Sequence, residues 1–316
     1  MNSYELFSHP DRFSYRARLI SGATFVFISC LALTYLPPFL LTYYTGEFWT
    51  QESVYSEQPR LSNRTKYILI VDNDNVNNYN FFLSSYSTLN NNLKDVLLSG
   101  YETESSYDID GDGLLDQFRI SFNLIFPQTS VVIRNINIWL IFEYELSDKQ
   151  LVNMETMALI NIVPPSTFTP SNNKNLTVYG QLIFEQRQTV RDSGSDNTYN
   201  KAIINATSST STPDLQSILD EYFTRKYYTS YETQYTWITP QTTVVANTVA
   251  INVVVNIGRQ AILYTPGFWQ QFKWGWIQYI CVLAPFLIVF GRLKLFVFSN
   301  HLVLTLFPLP YHQHKA

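Results

Sequence analysis

Cysteine is nearly absent from this sequence. Its 316 residues include two cysteines, Cys30 and Cys281, and both lie in apolar runs. No disulfide framework can therefore form in the region between these runs, unlike in small secreted domains that depend on such bridges. Any domain in that region must be stabilised by a hydrophobic core of its own.

Histidine is also rare, and it is confined to the two ends of the chain. The region 45–271 contains neither histidine nor cysteine, because the four histidines are His9, His301, His312 and His314. This excludes Ser-His and Cys-His nucleophilic mechanisms there, together with histidine-ligated zinc. The sequence also lacks G-x-S-x-G, H-E-x-x-H, P-loop and dinucleotide-binding motifs. We therefore predict that the protein is not an enzyme.

Basic patches of the kind that nucleic acid binding requires are missing as well. The formal net charge of the chain is -4. Proteins that bind nucleic acid usually carry clustered lysine and arginine on one face or along one helix. We expect no nucleic-acid partner.

Charged residues are absent from the stretch Leu19–Tyr44. A bilayer core about 30 Å thick requires roughly 20 apolar residues of helix, so this stretch is long enough to span it. Arginines precede it and acidic residues follow it from Glu47 onward, so the positive-inside rule places residues 1–18 in the cytoplasm. The alternatives are a buried core helix or a cleaved signal peptide, but the run is too long for the latter and has no A-x-A-like cleavage site. Pro37–Pro38, near its outer end, is expected to end or kink the helix.

A second apolar stretch, 272–291, predicts another transmembrane helix. Tryptophan and tyrosine form an aromatic belt at its start, and Arg292 and Lys294 supply cytoplasmic charge at its end. The alternative is a buried helix of a soluble protein. Two crossings return the tail 292–316 to the cytoplasm, so both termini are cytoplasmic, and they make 45–271 one exterior domain.

Three N-glycosylation sequons agree with this topology. They begin at Asn63, Asn175 and Asn205, and all of them fall inside 45–271. Each sequon alone is a weak motif, because an asparagine-rich sequence contains some by chance. Together they favour an exterior, glycosylated domain.

The exterior domain is dominated by segments in which apolar residues alternate. The strongest are Phe118–Phe126, Ile136–Leu146, Leu176–Phe184 and Val249–Ile257, and weaker ones are Tyr67–Val71 and Thr156–Val163. Such strands bury one face and expose the other, as in antiparallel sheets. One helix interrupts them, with Thr212 as its N-cap and Pro213 at its first position. We predict an α+β membrane protein in which two transmembrane helices flank a large antiparallel β-sandwich with one inserted helix.

An aspartate-rich segment between two predicted strands is the sharpest local motif. Its carboxylates occupy positions 1, 3, 5 and 9 of a calcium-type loop, with glycine at position 6: Asp108, Asp110, Asp112 and Asp116. The position of the bidentate glutamate of an EF-hand holds Arg119, so the segment is not an EF-hand. Two interpretations remain open: a calcium ion that staples the turn, or an acidic hairpin turn without metal.

Motifs around both membrane stretches, and two within the exterior region, resemble the transmembrane protein 231 family. The resemblance extends through nearly the whole chain. It is carried by Tyr4 to Pro10, Ser14 to Ala17, Ala32 to Pro38, Phe48-Trp49, Glu57-Gln58-Pro59, Asp112-Gly113 with Asp116, Tyr264 to Trp269, Trp276 to Tyr279 and Arg292 to Phe298.

The resemblance implies a non-enzymatic component of the ciliary transition zone. In that family the chain is a two-pass subunit of the Meckel syndrome (MKS) module, with tectonics, meckelin, other small transmembrane subunits and peripheral lipid-binding-type subunits as partners. The module forms a diffusion barrier that limits which membrane proteins enter the cilium, and it supports ciliogenesis. Both ends of this chain are rich in aromatic and apolar residues, so we expect 1–18 and 291–307 to dock peripheral subunits. The second end could lie in the membrane interface as an extension of the second helix, or Leu302–Phe307 could add a strand to a partner.

Other classes of protein share this topology. A glycosylated two-pass accessory subunit of a flippase or transporter, or a subunit of a trimeric two-pass channel, would also place a β-rich domain between two spans. Those families usually have disulfide-rich exterior domains, which this chain cannot form. A calcium-dependent adhesion or sensing protein is a further alternative, and it would require the aspartate-rich segment to bind calcium with a functional consequence.

Overall fold

The structure is a computed structural model that describes residues 17–18, 20–45, 49–62, 65–74, 80–128, 131–165, 168–170, 174–204, 214–240 and 247–304. The chain divides into two compact units, one of residues 1–51 and 267–316 and the other of residues 52–266. The helices are α1 (Gly22–Tyr44), α2 (Ser87–Asn92), α3 (Leu215–Phe223) and α4 (Phe268–Ser299). The strands are β1 (Ser53–Glu57), β2 (Arg60–Leu61), β3 (Lys66–Asn73), β4 (Phe81–Ser84), β5 (Ser99–Tyr107), β6 (Gln117–Ile125), β7 (Ile133–Leu146), β8 (Leu151–Ile162), β9 (Lys174–Gln186), β10 (Val190–Arg191), β11 (Ser195–Asp196), β12 (Tyr227–Pro240), β13 (Thr248–Asn256) and β14 (Gln260–Thr265).

The first unit is built on α1 and α4, which are both long and apolar enough to cross a membrane. Ser21 caps α1 by accepting the N–H of Thr24. Pro37 and Pro38 lie inside α1 and do not end it. The residues after them are still apolar, and in lipid a helix is what satisfies their backbone groups, so the helix continues to Tyr44.

The two helices run antiparallel and pack along one seam. Phe39 of α1 lies against Tyr279 of α4 with ring centroids 6.4 Å apart, and Lys294 Nζ lies 5.6 Å from the centroid of the Phe27 ring. The buried residues of α1 are mostly small and recur about every fourth position: Ala23, Cys30, Thr34, Pro38 and Thr42. Small residues allow helices in lipid to approach closely, so this face holds the pair together.

Helix α4 extends beyond the membrane stretch that ends at residue 291 in the sequence prediction. It continues through Arg292 and Lys294 to Ser299, because Arg292 to Leu295 are good helix formers and no proline follows Gly291 within the helix. His301 then takes a left-handed conformation, with φ of 52°. The N–H of His301 bonds to Phe298 O and that of Leu302 to Val297 O, which is the Schellman pattern of a helix end. Residues 305–316, including His312 and His314, lie outside the described residues.

The described residues of the second unit form three β-sheets. The six-stranded sheet has the order β11-β8-β7-β3-β4, with β2 also paired to β7, and the five-stranded sheet has the order β12-β9-β13-β6-β5. A three-stranded sheet has the order β1-β14-β10. Most neighbouring strands are antiparallel, and three neighbouring pairs are parallel: β9 with β13, β8 with β11, and β10 with β14.

The two large sheets pack face to face over one hydrophobic core. The alternating apolar residues of β6, β7, β9 and β13 point into it and are almost fully buried. The fold class predicted from the sequence is therefore confirmed: two apolar helices flank a β-rich domain with a sandwich core.

The six-stranded sheet is covered on its second face too. Ile68, Trp139, Ile141 and Met157 form a separate buried cluster with residues of α2 and α3. The sequence predicts one wetted face for these strands, whereas the central ones are buried on both. Helix α3 begins at Leu215 with Asp214 as its N-cap, since the Asp214 carboxylate accepts the N–H of Gln216. Thr212 and Pro213 lie outside the described residues.

Tyr222 of α3 joins the two large sheets. Its hydroxyl is fully buried and accepts the N–H groups of Met157 in β8 and Thr229 in β12, each at 3.1 Å. The same hydroxyl donates to Thr229 O at 2.7 Å. Met157 lies beyond the short pairing of β8 with β11, and β12 is an edge strand. One side chain therefore supplies hydrogen bonds between the edges of two sheets.

We predict that Tyr222→Phe destabilises the domain without altering its packing volume. The buried N–H of Met157 loses its acceptor, which costs about 1–3 kcal/mol. The melting temperature should fall by about 2–4 °C for each kcal/mol in a domain of this size. Thermal unfolding of the detergent-purified protein, followed by circular dichroism, measures this.

Tyr228→Phe is the matched control, because the Tyr228 ring packs against Tyr222 at 5.5 Å while its hydroxyl makes no hydrogen bond within the described part of the chain. It should leave the melting temperature nearly unchanged. Equal shifts in the two variants would contradict the role given to the Tyr222 hydroxyl.

Candidate functional site

The aspartate-rich loop, residues 108–116, connects β5 to β6. Those two strands are antiparallel, with Tyr107 opposite Gln117 at the base of the loop. The N–H of Asp116 bonds to Tyr107 O and closes the hairpin. Gly111 and Gly113 adopt φ of 77° and 83°, a conformation that side chains other than glycine rarely take. The glycines thus let the chain turn back on itself and bring its carboxylates together.

Three of the four predicted ligand residues meet in this loop. Asp108, Asp110 and Asp116 each offer a carboxylate oxygen, and these oxygens all lie within 4.8 Å of one another. Asp112 is not part of this group, and its Oδ1 accepts the N–H of Leu114. A calcium ion takes six to eight oxygen ligands, so three carboxylates would supply part of its shell and backbone or water oxygens the rest.

The loop also provides hydrogen bonds to its own carboxylates. Asp108 accepts the N–H groups of Gly111 and Gly113 at 2.7 and 2.9 Å. Asp116 Oδ2 accepts those of Ile109 and Asp110 at 2.7 and 3.3 Å. These side-chain-to-backbone bonds are the interactions by which aspartate stabilises turns, with or without a cation.

The loop shifts the pKa values of Asp116 and Asp110 in opposite directions. The Ile109 N–H, and then the Gln58 amide, lower the pKa of Asp116 below its ordinary value. At Asp110 the N–H of Asp112 alone would lower the pKa, but partial desolvation and the charges of the neighbouring aspartates outweigh it and raise the pKa. The loop therefore disfavours the charge of Asp110 and favours that of Asp116.

Glu57 and Gln58 connect this loop to distant parts of the domain, a role that the sequence did not predict. Gln58 Nε2 donates to Asp116 Oδ1 at 2.9 Å. Glu57 is buried, and its Oε1 accepts the N–H groups of Ser147 and Asp148 at 2.6 and 3.0 Å. One signal in the sequence could have indicated this contact. Glu57-Gln58-Pro59 and the aspartate turn both belong to the motifs that carry the family resemblance.

Arg119 lies where an EF-hand would place its last ligand, and it has other partners. Its Nε donates to Gln117 Oε1 at 2.7 Å. Its guanidinium lies over the Tyr107 ring, 5.0 Å from the centroid. Arg119 thus flanks the base of the hairpin, consistent with the sequence argument against an EF-hand.

One of the three sequons lies within the described residues. Asn175 is the second residue of β9 and is partly exposed. It lies opposite Thr239 of β12 on one side and Ala250 of β13 on the other. Asn63 and Asn205 lie outside the described residues.

Comparison with known proteins identifies the family of this chain. The family model described as Transmembrane protein 231 matches residues 1–307. Transmembrane protein 231 of Xenopus tropicalis and that of Gallus gallus are each 33% identical, over 100% of this chain and 100% of theirs. The Homo sapiens protein of that name is 32% identical over 97% of this chain and 95% of its own.

Among solved structures, a cryo-EM structure of a proton-activated chloride channel aligns over 88% of this chain and 96% of its own, with a TM-score of 0.32 and 6% identity. That similarity is too low to carry an inference about this chain. The family model and the full-length relatives establish a membrane protein with two candidate spans. The chain belongs to the transmembrane protein 231 family.

Proposed function

We propose that the protein is a structural, non-enzymatic component of the ciliary transition zone, within the MKS module. The observation that carries this proposal is the extent of the family match, which includes both spans and the whole β domain. The role is to support the diffusion barrier that controls the entry of membrane proteins into the cilium. Tectonics, meckelin, small transmembrane subunits and peripheral lipid-binding-type subunits are the partners in this proposal.

The proposed orientation places both termini in the cytoplasm and the β domain outside. Arginines before α1, and Arg292 and Lys294 in the last third of α4, support it through the positive-inside rule. The three sequons between the spans point the same way, since N-glycans are added on the exterior side.

The two spans suit passive anchors. Neither α1 between Gly22 and Tyr44 nor α4 between Trp274 and Gly291 contains aspartate, glutamate, lysine, arginine or histidine. Such residues usually mark ion paths and proton relays within membranes. The part of α4 after Lys294 follows the basic residues at the end of the membrane stretch, so in this orientation it lies on the cytoplasmic side. Leu295 and Phe296 are exposed by 64% and 60%, and an exposed apolar surface usually marks a contact with another molecule. We assign this segment, with residues 1–18, to the docking of peripheral subunits.

Rescue of the barrier tests this proposal. In ciliated cells that lack their own family member, the full chain should restore the exclusion of a membrane reporter from the cilium. The double variant Leu295→Gln, Phe296→Gln should restore it poorly and should recover less peripheral subunit in pull-downs, because it removes the apolar contact. Recovery of the fluorescent reporter in the cilium after photobleaching measures the barrier.

The control for this experiment is Leu295→Ile, Phe296→Leu, which retains the apolar surface at the same positions. It should behave as the unmodified chain does. Full rescue by the glutamine variant would contradict the docking role, and failure of the full chain to restore exclusion would contradict the barrier function.

We further propose that a calcium ion binds the aspartate-rich loop and links its carboxylates to one another. Support comes from the three converging carboxylates and from the raised pKa of Asp110, whose unfavourable charge a cation would neutralise. The ion would stiffen the β5–β6 hairpin and would take no part in a reaction. Asp108, Asp110 and Asp116 are the residues that would hold it.

Asp110→Asn separates the two interpretations of this loop. The amide oxygen can still accept the Asp112 N–H that Asp110 accepts at 3.2 Å, so the turn should survive. Without calcium, the variant should be at least as stable as the unmodified protein, because one repulsive charge is gone. With millimolar calcium, the melting temperature should rise in the unmodified protein and stay unchanged in the variant, as differential scanning fluorimetry would detect.

Asp95→Asn, at an exposed acidic residue outside the loop, is the charge-matched control and should retain the calcium response. If calcium leaves the unmodified protein unaffected, the loop is an acidic hairpin turn closed by its own N–H groups.

A further inference from the structure

Two exposed aromatic side chains lie side by side at one edge of the five-stranded sheet. Tyr235 and Trp237 of β12 are 54% and 51% exposed. Their rings stack with centroids 5.9 Å apart and an angle of 28° between their planes. An exposed apolar patch made of adjacent side chains often marks a contact with another group.

A β-bulge explains why these residues point outward. Before it, Tyr231 lies in the core and its hydroxyl donates to Val254 O. The register of β12 against β9 shifts between Thr233 and Tyr235. After the shift Tyr235 and Trp237 lie on the outer face, opposite Tyr179 and Thr177.

The sequon of β9 lies on this same outer face. Leu176, its middle residue, is fully buried in the core, so Asn175 and Thr177 point the other way, since successive side chains alternate across a strand. Trp237 is opposite Thr177, and Thr239 is opposite Asn175. Asn175 and Trp237 are therefore diagonal neighbours, within about 7–8 Å of each other.

We propose that an N-glycan on Asn175 packs its innermost sugar against Trp237. The proposal rests on the exterior orientation of the domain proposed above. Tyr235 covers one face of the indole, so the opposite face is turned toward the row that contains Asn175 and Thr239. The glycan thereby covers the aromatic pair and shields the outer edge of β12.

The chemistry of both groups suits this contact. In the attachment reaction, the Asn175 amide nitrogen bonds to C1 of N-acetylglucosamine and loses one proton, while the bond from C1 to a lipid diphosphate donor breaks. The sugar ring then presents a face of C–H groups with partial positive charge. An aromatic ring carries partial negative charge on its face, so the two attract each other as they exclude water.

A double-mutant cycle on the full chain, expressed in cells that glycosylate and purified in detergent, tests this proposal. Asn175→Gln should remove one glycan, seen as a loss of the shift in mobility that peptide N-glycosidase produces. It should also lower the melting temperature by about 2–4 °C, the effect of a modest loss of contact in a domain of this size. In a Trp237→Thr background, the same glycan loss should change the melting temperature by much less.

Two controls test whether the coupling is specific to Asn175 and Trp237. Tyr101→Thr replaces an exposed aromatic residue at the opposite edge of the same sheet, about 14 Å from Asn175 across three strand spacings. It should leave the effect of Asn175→Gln intact. Asn205→Gln removes a different sequon and should show no coupling to Trp237.

The outcomes distinguish the exterior orientation of the domain from the contact between the Asn175 glycan and Trp237. No glycan at any of the three sequons would overturn the exterior orientation and this inference with it. Glycans at the other sequons but not at Asn175 would overturn this inference alone. A glycan at Asn175 whose loss has the same effect with and without Trp237 would also overturn it, and would leave the orientation standing.

Discussion

Burial of apolar side chains between two β-sheets holds the β domain together. The domain contains no cysteine, so no covalent cross-link restrains it, and its stability depends on the area that the sheets remove from water. The six-stranded sheet is buried on both faces because α2 and α3 cover its second side. Tyr222 then satisfies backbone groups at the line where β8 and β12 meet. The fold therefore needs both the buried apolar side chains and these hydrogen bonds, which satisfy backbone groups at the sheet edges.

The central strands could be predicted from the sequence, and the edge strands could not. Along most of β6, β7, β9 and β13 every second residue is aliphatic or aromatic, and this period of two indicates a strand with one face in the core. Strand β12 alternates tyrosine and threonine, and β5 is almost entirely polar, so neither has a strong apolar period. Their place in the sheet is set by pairing with β9 and β6. Such pairing depends on contacts between residues far apart in the sequence.

In the aspartate-rich loop, too, the local features could be predicted from the sequence and the long-range contacts could not. The turn and its three converging carboxylates follow from local spacing, because glycine and aspartate positions determine how such a loop folds. The bond from Gln58 to Asp116 joins residues 58 positions apart, and it depends on how β1, β2 and the hairpin are arranged in space. The exposed position of Trp237 depends on a bulge in β12 that no local pattern indicates. Long-range register is what sequence reasoning lacked.

A β domain between two apolar helices suits the proposed role in assembly. The central part of that proposal is that the chain belongs to the barrier at the base of the cilium. The most direct measurement is the position of a C-terminally tagged full chain in ciliated cells, by super-resolution microscopy. A transition-zone component should give a ring of signal confined between the basal body and the axoneme. A uniform signal over the plasma membrane or the internal membranes would contradict it.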